Sequence, residues 1–255
     1  MLLTVSYDGT PFSGFARQPS ARTIAGELDG AVRAIDAGAG LVRGASRTDR
    51  GVHARAQPVS FDTTLEIGAR GWVLGLNSHL PAEIAVVRAA SVDVGYDPRS
   101  HALSKVYRYV VFESVLRDPF LAQRAWRVGD RLNHQLMRDE ACGLVGQHDF
   151  RAFRGSADER ENTVRRILRA EVRTAGGDPR CVEIEIEGDR FLYRMMRIIA
   201  GTLVDVGRGR LAPGAIERAL ASLSRTDLGM TAPPDGLFLD RVALDDFGRA
   251  AWPTD

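Results

Sequence analysis

The chain has 255 residues, of which 44% are hydrophobic and 26% charged, as in a globular protein with a buried core. No apolar run approaches the roughly 20 residues of a membrane span, and the N-terminus lacks the basic start of a signal peptide. The net charge of +1 gives no overall argument for nucleic-acid binding, although residues 96–210 hold 21 basic and 17 acidic groups.

The first 95 residues predict the element order β-α-β-β-α-β, which is typical of a ferredoxin-like half. Leu2 to Tyr7 is predicted as a strand, and Thr23 as the N-cap of a helix whose apolar residues recur at helical spacing. The elements predicted after this helix are strands at 41–45 and 59–61, a helix at 67–76 and a strand at 84–92.

A similar order follows loosely in the rest of the chain. The elements predicted there are a strand at 107–112, a helix at 132–145, a hairpin of 164–172 with 181–187, a helix at 191–206, a short helix opened by Pro213, and a last strand at 237–244. Because residues 96–99 break the periodicity, we predict two domains, 1–95 and 96–255. The expected fold is α+β: two ferredoxin-like halves with mainly antiparallel sheets joined into one central sheet, and helices on its outer face.

The stretch from Ser46 to Ala54 has an acid, Asp49, between Arg47 and Arg50 and close to Gly51. No helix or strand period explains this cluster, and a neighbouring guanidinium keeps a carboxylate ionised. Asp49 therefore suits a nucleophile or a base better than a general acid. The alternative is an ordinary turn-capping or salt-bridged aspartate, which is common in loops.

The predicted helix at 191–206 carries a buried apolar stripe and three arginines, Arg190, Arg194 and Arg197, on another face. One interpretation is a solvated basic face. The other is that Arg197, close to Gly201, points inward to an acid, since an unpaired buried charge is costly.

Basic and aromatic residues alternate on the predicted strand that contains Lys105, Tyr107 and Tyr109. These three side chains share one face of a strand. Two exposed tyrosines beside positive charge would form a stacking platform for bases, worth roughly 1–3 kcal/mol per base. The alternative is a pair of ordinary core aromatics.

Other chemistry has little support in the sequence. His53, His101 and His148 have no metal-ligand spacing, so we expect no metal, and the glycines form no dinucleotide or P-loop fingerprint. Cys142 and Cys181 are far apart, and we expect reduced, semi-buried thiols in a cytoplasmic protein.

Taken in order, several of these segments resemble one family over nearly the whole chain, the tRNA pseudouridine synthase A (TruA) family. The segments that carry the resemblance are Tyr7-Asp8-Gly9-Thr10, Gly14-Phe15-Ala16-Arg17-Gln18, 47–54 (Arg-Thr-Asp-Arg-Gly-Val-His-Ala), Asn77-Ser78-His79-Leu80-Pro81, Lys105-Val106-Tyr107-Arg108-Tyr109, His148-Asp149-Phe150, 191–201, and Gly236-Leu237-Phe238-Leu239.

The resemblance implies an enzyme that isomerises uridine to pseudouridine at positions 38, 39 and 40 of the tRNA anticodon stem-loop. It implies Asp49 as the catalytic aspartate, Arg197 as its salt-bridge partner, Tyr107 as the residue that stacks on the target base, and Arg47 as a residue that displaces or holds the flipped nucleotide. It further implies a catalytic cleft between the halves, a homodimer, and no cofactor or metal.

Some residues depart from the family pattern. Ser46 stands where the family usually has Gly, Arg50 where it usually has Ala, and Phe15-Ala16 where it usually has Trp-Gln. None of these changes removes a catalytic group, but Arg50 adds a second positive charge next to Asp49. Two other functions stay open at this point, a non-catalytic RNA-binding protein and an enzyme that acts on small sugar phosphates.

Overall fold

The structure is a computed structural model and describes residues 1–253. Strands and helices alternate along the chain, with two short 3-10 turns at Arg151–Phe153 and Arg225–Asp227. The elements are, in chain order, β1 (Leu2–Tyr7), α1 (Ile24–Ile35), β2 (Arg43–Gly44), β3 (His53–Ser60), α2 (Ala69–His79), β4 (Ile84–Ser91), β5 (Ala102–Glu113), β6 (Trp126–Val128), α3 (His134–Cys142), β7 (Gly146–Asp149), β8 (Val164–Thr174), β9 (Cys181–Gly188), α4 (Met195–Gly207), α5 (Ala215–Ser222), β10 (Leu237–Leu244) and β11 (Arg249–Trp252).

The chain divides into two compact units. Unit 1 contains residues 1–103 and the chain from Phe238 onward, and unit 2 contains Ser104–Leu237. Each unit combines helices with mostly antiparallel strands, which confirms the predicted mixed α+β class. This division groups nearly all of β10 with the N-terminal part of the chain.

Unit 1 is built on strands in the order β11-β4-β1-β3-β10, and β2 pairs with β3. β1 is antiparallel to both β3 and β4, whereas β10 runs parallel to β3 with Phe238 opposite His53. The predicted β-α-β-β-α-β order of the first 91 residues is present. β11 was not predicted, and it pairs with β4 near the end of the chain.

Helix α1 begins at the predicted cap. The Thr23 hydroxyl accepts a hydrogen bond from the Gly26 N–H at 3.2 Å, which satisfies a donor that the first turn would otherwise leave unpaired. The Ile24 N–H donates to the Gly14 carbonyl and the Ala25 N–H donates to the Phe15 carbonyl. The start of α1 is therefore fixed to the loop that follows β1.

Unit 2 is built on strands in the order β5-β9-β8-β7, with β6 parallel to β5. The predicted hairpin is confirmed as β8 and β9, whose register runs from Ile167 opposite Gly188 to Thr174 opposite Val182. In β9 the residues Val182, Ile184 and Ile186 are fully buried, as their alternation with three glutamates predicts.

Helix α4 starts four residues later than predicted. Tyr193 is held outside the helix because its N–H donates to the Asp158 carboxylate and its carbonyl accepts from the Gly155 N–H. Arg194 then precedes the helix with a left-handed φ of 60°. The predicted common face of Arg190, Arg194 and Arg197 is therefore wrong, since only Arg197 belongs to α4.

Within residues 1–253, no helix is both long enough and apolar enough to cross a membrane. The same residues contain no group of three or more His, Cys, Asp or Glu side chains arranged to hold a metal ion. Cys142 is an exposed free thiol and Cys181 a buried one, so the expectation that both are semi-buried is wrong. Burial raises the pKa of Cys181 to about 11.

Candidate active site

In unit 1, the segment between β2 and β3 carries Asp49 on a tight turn. The Val52 N–H donates to the Asp49 carbonyl at 3.1 Å, which closes a four-residue turn. Gly51 occupies the third position of this turn with a φ of 78°, a conformation that glycine adopts without steric cost. The sequence Asp-Arg-Gly-Val therefore fixes the backbone directly after the carboxylate-bearing residue.

The side chain of Gln57 on β3 holds the start of this segment. Its amide oxygen accepts from the Ser46 N–H at 3.1 Å, and its amide nitrogen donates to the Ser46 carbonyl at 2.6 Å. Close by, the Tyr7 and Thr48 hydroxyls are hydrogen-bonded at 2.8 Å. All four side chains are buried, so the polar groups beneath the segment are satisfied within the protein.

Two glycines in the loop after β1 lie directly against the same backbone. A Cβ atom on Gly14 would lie 2.8 Å from the Thr48 carbonyl oxygen, and one on Gly9 only 2.0 Å from that of Val52. The Phe15 N–H also donates to the Thr48 carbonyl at 3.0 Å. We refer to residues 46–52, with the contacts that fix them, as the aspartate loop.

Exposure alternates along the aspartate loop. Arg47 and Arg50 are exposed, Thr48 between them is buried, and Asp49 is half-buried. The loop therefore combines a fixed backbone with two solvent-exposed guanidiniums, one on each side of a carboxylate. Two exposed positive charges in one loop attract an anionic ligand.

His53 follows the aspartate loop directly and is the first residue of β3. Its Nδ1 accepts from the Gly9 N–H at 3.2 Å and lies 3.2 Å from the Asp8 carboxylate. The buried imidazole is stacked on the Phe238 ring, with centroids 4.6 Å apart. The aspartate loop is thereby fixed to β10 as well as to the turn after β1.

In unit 2, Arg197 on α4 holds the loop at 230–236. Its Nε donates to the Ala232 carbonyl at 2.8 Å, and its own carbonyl accepts from the Ala232 N–H at 3.0 Å. One turn later, a Cβ on Gly201 would lie 1.8 Å from the Met230 carbonyl oxygen. The helix backbone at Gly201 therefore packs directly against the backbone of this loop.

Tyr109 on β5 holds the same loop from the sheet. Its hydroxyl donates to the Pro233 carbonyl at 2.7 Å, and its ring lies edge-on to Trp126. Burial raises the pKa of Tyr109 far above its ordinary value, while nearby Arg197 acts in the opposite direction. The hydroxyl is therefore a neutral hydrogen-bond donor, and the guanidinium of Arg197 lies close to it.

Tyr107, two residues earlier on β5, is only 6% exposed and contacts the Phe191 ring edge to face, with centroids 4.9 Å apart. The predicted platform of two exposed tyrosines is therefore wrong. Tyr109 is a core aromatic, and Lys105 on the same face is also buried. Of the two tyrosines, only Tyr107 keeps any exposed surface.

Comparisons with known proteins decide the family. A family model described as tRNA pseudouridine synthase matches residues 141–245. The tRNA pseudouridine synthase A of Bacillus pumilus is 40% identical over 245 residues, covering 95% of this chain and 98% of the relative. That of Geotalea daltonii is 38% identical over 240 residues, covering 94% and 97%. This chain belongs to the tRNA pseudouridine synthase A family.

The four residues expected to act in a member of this family are divided between the two units. Arg47 and Asp49 lie together on the aspartate loop of unit 1, and Tyr107 and Arg197 lie on β5 and α4 of unit 2.

The residues that shape the aspartate loop in this family member were not found from the sequence. Gln57 was missed because the predicted strand began at Val59, whereas β3 begins at His53. A buried polar residue inside a strand indicates a side chain with a specific hydrogen-bonding role. Gly9 and Gly14 match no nucleotide-binding pattern. Their role is steric and becomes visible only when two distant segments are placed in contact.

Proposed function

We propose that this protein isomerises uridine to pseudouridine at positions 38, 39 and 40 of the tRNA anticodon stem-loop, without a cofactor or metal. The observation that carries the proposal is identity of 40% to a tRNA pseudouridine synthase A over 95% of the chain. The fixed aspartate loop supports it, since catalysis requires a reactive group that is held before the substrate binds.

The target uridine must first leave the helical stack, because its C1′ and C5 atoms are not accessible there. Extrusion costs a few kcal/mol and is offset by contacts in the active site. Exposed Arg47, two residues before Asp49, holds the displaced nucleotide by contacting phosphate. Tyr107 stacks on the extruded base through its remaining exposed surface.

Ionised Asp49 then assists cleavage of the bond between C1′ and N1. It does so by adding to C1′, by adding to C6 of the base, or by removing a proton from C2′. Uracil keeps the bonding electrons, rotates, and forms a new bond from C5 to C1′, while the bond that Asp49 made to C1′ or C6 breaks or the proton taken from C2′ returns. Loss of the C5 proton and protonation of N1 complete an isomerisation with no net gain or loss of atoms.

The proposed site lies in a cleft between two ferredoxin-like halves whose sheets join into one. Arg197 pairs with Asp49 there and orients the carboxylate. The contact of Arg197 with the Ala232 carbonyl supports this role, because it fixes the guanidinium on α4. The enzyme acts as a homodimer that binds one tRNA across both subunits.

The substitution Asp49→Asn tests the function. The variant is expected to form no pseudouridine, yet to bind unmodified tRNA within a few-fold of the wild type, because the change removes charge but little volume. The assay is chemical mapping of pseudouridine in the anticodon arm after incubation with the purified protein. Asp139→Asn, an exposed aspartate on α3, is the matched control and is expected to retain activity.

Substantial turnover by Asp49→Asn would exclude the proposed role of the carboxylate. Binding without any product from the wild type would favour a non-catalytic RNA-binding protein. Turnover of a free nucleotide in the absence of tRNA would instead favour an enzyme for small sugar phosphates.

A further inference from the structure

Arg165, on β8 of unit 2, is a buried arginine without a carboxylate partner among the described residues. It is 7% exposed, and its Nε is buried with no hydrogen-bond partner within residues 1–253. Its NH1 group donates to the carbonyl of the adjacent Val164 at 2.5 Å. In the register of β7 with β8, the residue opposite it is His148 and not an acid.

Two more arginines surround it. Burial first, then the charges of Arg160 and Arg190, lower the pKa of Arg165 below its ordinary value, while Asp189 and Asp158 act in the opposite direction. Arg160 and Arg190 are themselves exposed. The NH1 group of Arg160 donates to the Phe191 carbonyl at 3.3 Å, and the Asp189 N–H donates to the Arg166 carbonyl at 3.0 Å. The segment that carries Arg190 therefore lies against both Arg160 and the strand of Arg165.

The two nearby carboxylates are occupied by other donors. Asp158 accepts from the Tyr193 N–H at 2.8 Å and from the Arg160 backbone N–H at 3.2 Å, and it forms an ion pair with the Nε of Arg160 at 3.1 Å. Asp189 accepts from the backbone N–H groups of Arg166 and Arg190, at 3.0 and 2.6 Å. Neither forms an ion pair with Arg165 within the described part of the chain.

An arginine cannot relieve this situation by losing its proton, because the guanidinium stays charged at any physiological pH. A buried cation beside two other cations is stabilised by an external anion that accepts several N–H bonds. A phosphate group fits this requirement, since its oxygens match the forked donors of guanidinium.

We propose that Arg165, Arg160 and Arg190 form a phosphate-binding cluster that holds a backbone phosphate of the tRNA substrate. The exposed Arg160 and Arg190 make the first contact, and the buried Arg165 supplies the third charge. The choice of RNA as the source of phosphate rests on the proposed function, whereas the anion site rests on the residues alone.

The test is the salt dependence of tRNA binding by the full-length protein. Arg190→Ala and Arg160→Ala, both at exposed positions, are each expected to raise Kd about tenfold. Each is also expected to reduce the slope of log K against log salt by about 0.7 to 0.9. Arg117→Ala, an exposed arginine of the same unit, is the control and should leave both quantities unchanged.

A second measurement uses inorganic phosphate and Arg165→Gln. Phosphate should raise the Tm of the wild type relative to chloride at equal ionic strength, and it should not raise that of the variant. In chloride alone, Arg165→Gln should melt no lower than the wild type, because the change removes an uncompensated buried charge. A purely structural role for Arg165 predicts a lower Tm in both buffers.

The two measurements separate the two proposals. A phosphate effect that depends on Arg165, in a protein that forms no pseudouridine, would support the anion site and reject the enzymatic function. Normal pseudouridine formation with unchanged salt slopes in Arg160→Ala and Arg190→Ala would reject the cluster alone. A phosphate effect that persists in Arg165→Gln would also reject it.

Discussion

The side-chain amide of Gln57 bonds both the N–H and the carbonyl of Ser46, so that one residue of β3 determines where the aspartate loop begins. Both residues are buried, and water cannot replace these bonds. The loop is therefore held from one side by a strand and from the other by two glycines that lie against its backbone.

Gln57→Leu should lower the free energy of unfolding by about 2 to 3 kcal/mol, because it removes two hydrogen bonds to buried backbone groups of Ser46. Pseudouridine formation should fall by more than the loss of folded protein explains, since Asp49 is only three residues from Ser46, which Gln57 holds. Urea unfolding and kcat at a temperature where the variant is fully folded measure the two effects.

Gln57→Glu keeps the acceptor for the Ser46 N–H, and we expect it to lose less stability than Gln57→Leu. Equal kcat in the folded Leu variant and wild type would show that the hydrogen bonds between Gln57 and Ser46 do not position Asp49.

Two glycines in the middle of helices should respond in opposite ways to alanine. Gly30 on α1 has open space around it, so Gly30→Ala should stabilise the protein by about 0.5 to 1 kcal/mol. Gly201→Ala on α4 should destabilise it by more than about 2 kcal/mol, since the new Cβ would overlap the Met230 carbonyl. Thermal unfolding of both variants tests this pair. A neutral Gly201→Ala would mean that the 230–236 loop moves without cost, and that Arg197 is not fixed by it.

Tyr107 should tolerate Phe better than Leu. If its role is to stack on the extruded base, Tyr107→Phe should bind tRNA about as tightly as the wild type, and Tyr107→Leu several-fold more weakly. Fluorescence anisotropy with labelled tRNA gives both affinities. Equal binding by the two variants would argue against stacking, and a Tm measurement controls for loss of the contact with Phe191.

Arg50 is an exposed guanidinium at the second position of the Asp49 turn. We expect Arg50→Ala to weaken tRNA binding several-fold. It should also reduce the slope of log K against log salt by about 0.7 to 0.9, which is the contribution of one phosphate contact. Arg33→Ala, exposed at the end of α1, is the control. If both variants give the same slope as the wild type, Arg50 does not contact phosphate.

The ion pair of Arg43 and Asp62 should make stability depend on acid pH. A hydrogen bond from Arg43, and then one from the Gly95 N–H, lower the pKa of Asp62 from 3.8 to about 2. A lowered carboxyl pKa stabilises the fold above the unfolded value, and this stabilisation disappears as the pH falls from 3.8 towards 2.

Both side chains of this pair are about a third exposed, so solvent screening reduces its contribution to about 1 kcal/mol. Asp62→Asn should therefore be less stable than the wild type by that amount at pH 7, and the difference should shrink at pH 3. Urea unfolding at both values tests this expectation. A difference that does not change with pH would assign the effect to lost hydrogen bonds alone.

Local patterns predicted the parts of the fold that depend on local physics. Thr23 caps α1 because its hydroxyl reaches a donor three residues away, and β9 alternates because a sheet has two faces. Features set by distant contacts were missed. The start of α4 depends on Asp158, 35 residues before Tyr193, and β7 forms only because β8 supplies its hydrogen bonds. In the candidate site, Arg47, Asp49 and Arg197 stand out in the sequence by their charge, whereas Gln57 becomes recognisable only through its contacts.

The last two strands complete unit 1 on both sides, since β10 pairs with β3 and β11 pairs with β4. During synthesis, residues 1–103 leave the ribosome well before either strand exists, so this part of the sheet is at first open along two edges. Unpaired edges are sites of aggregation. Premature termination before β10 should therefore yield an aggregation-prone fragment, and a chaperone that shields these edges until translation ends should raise the yield of native protein.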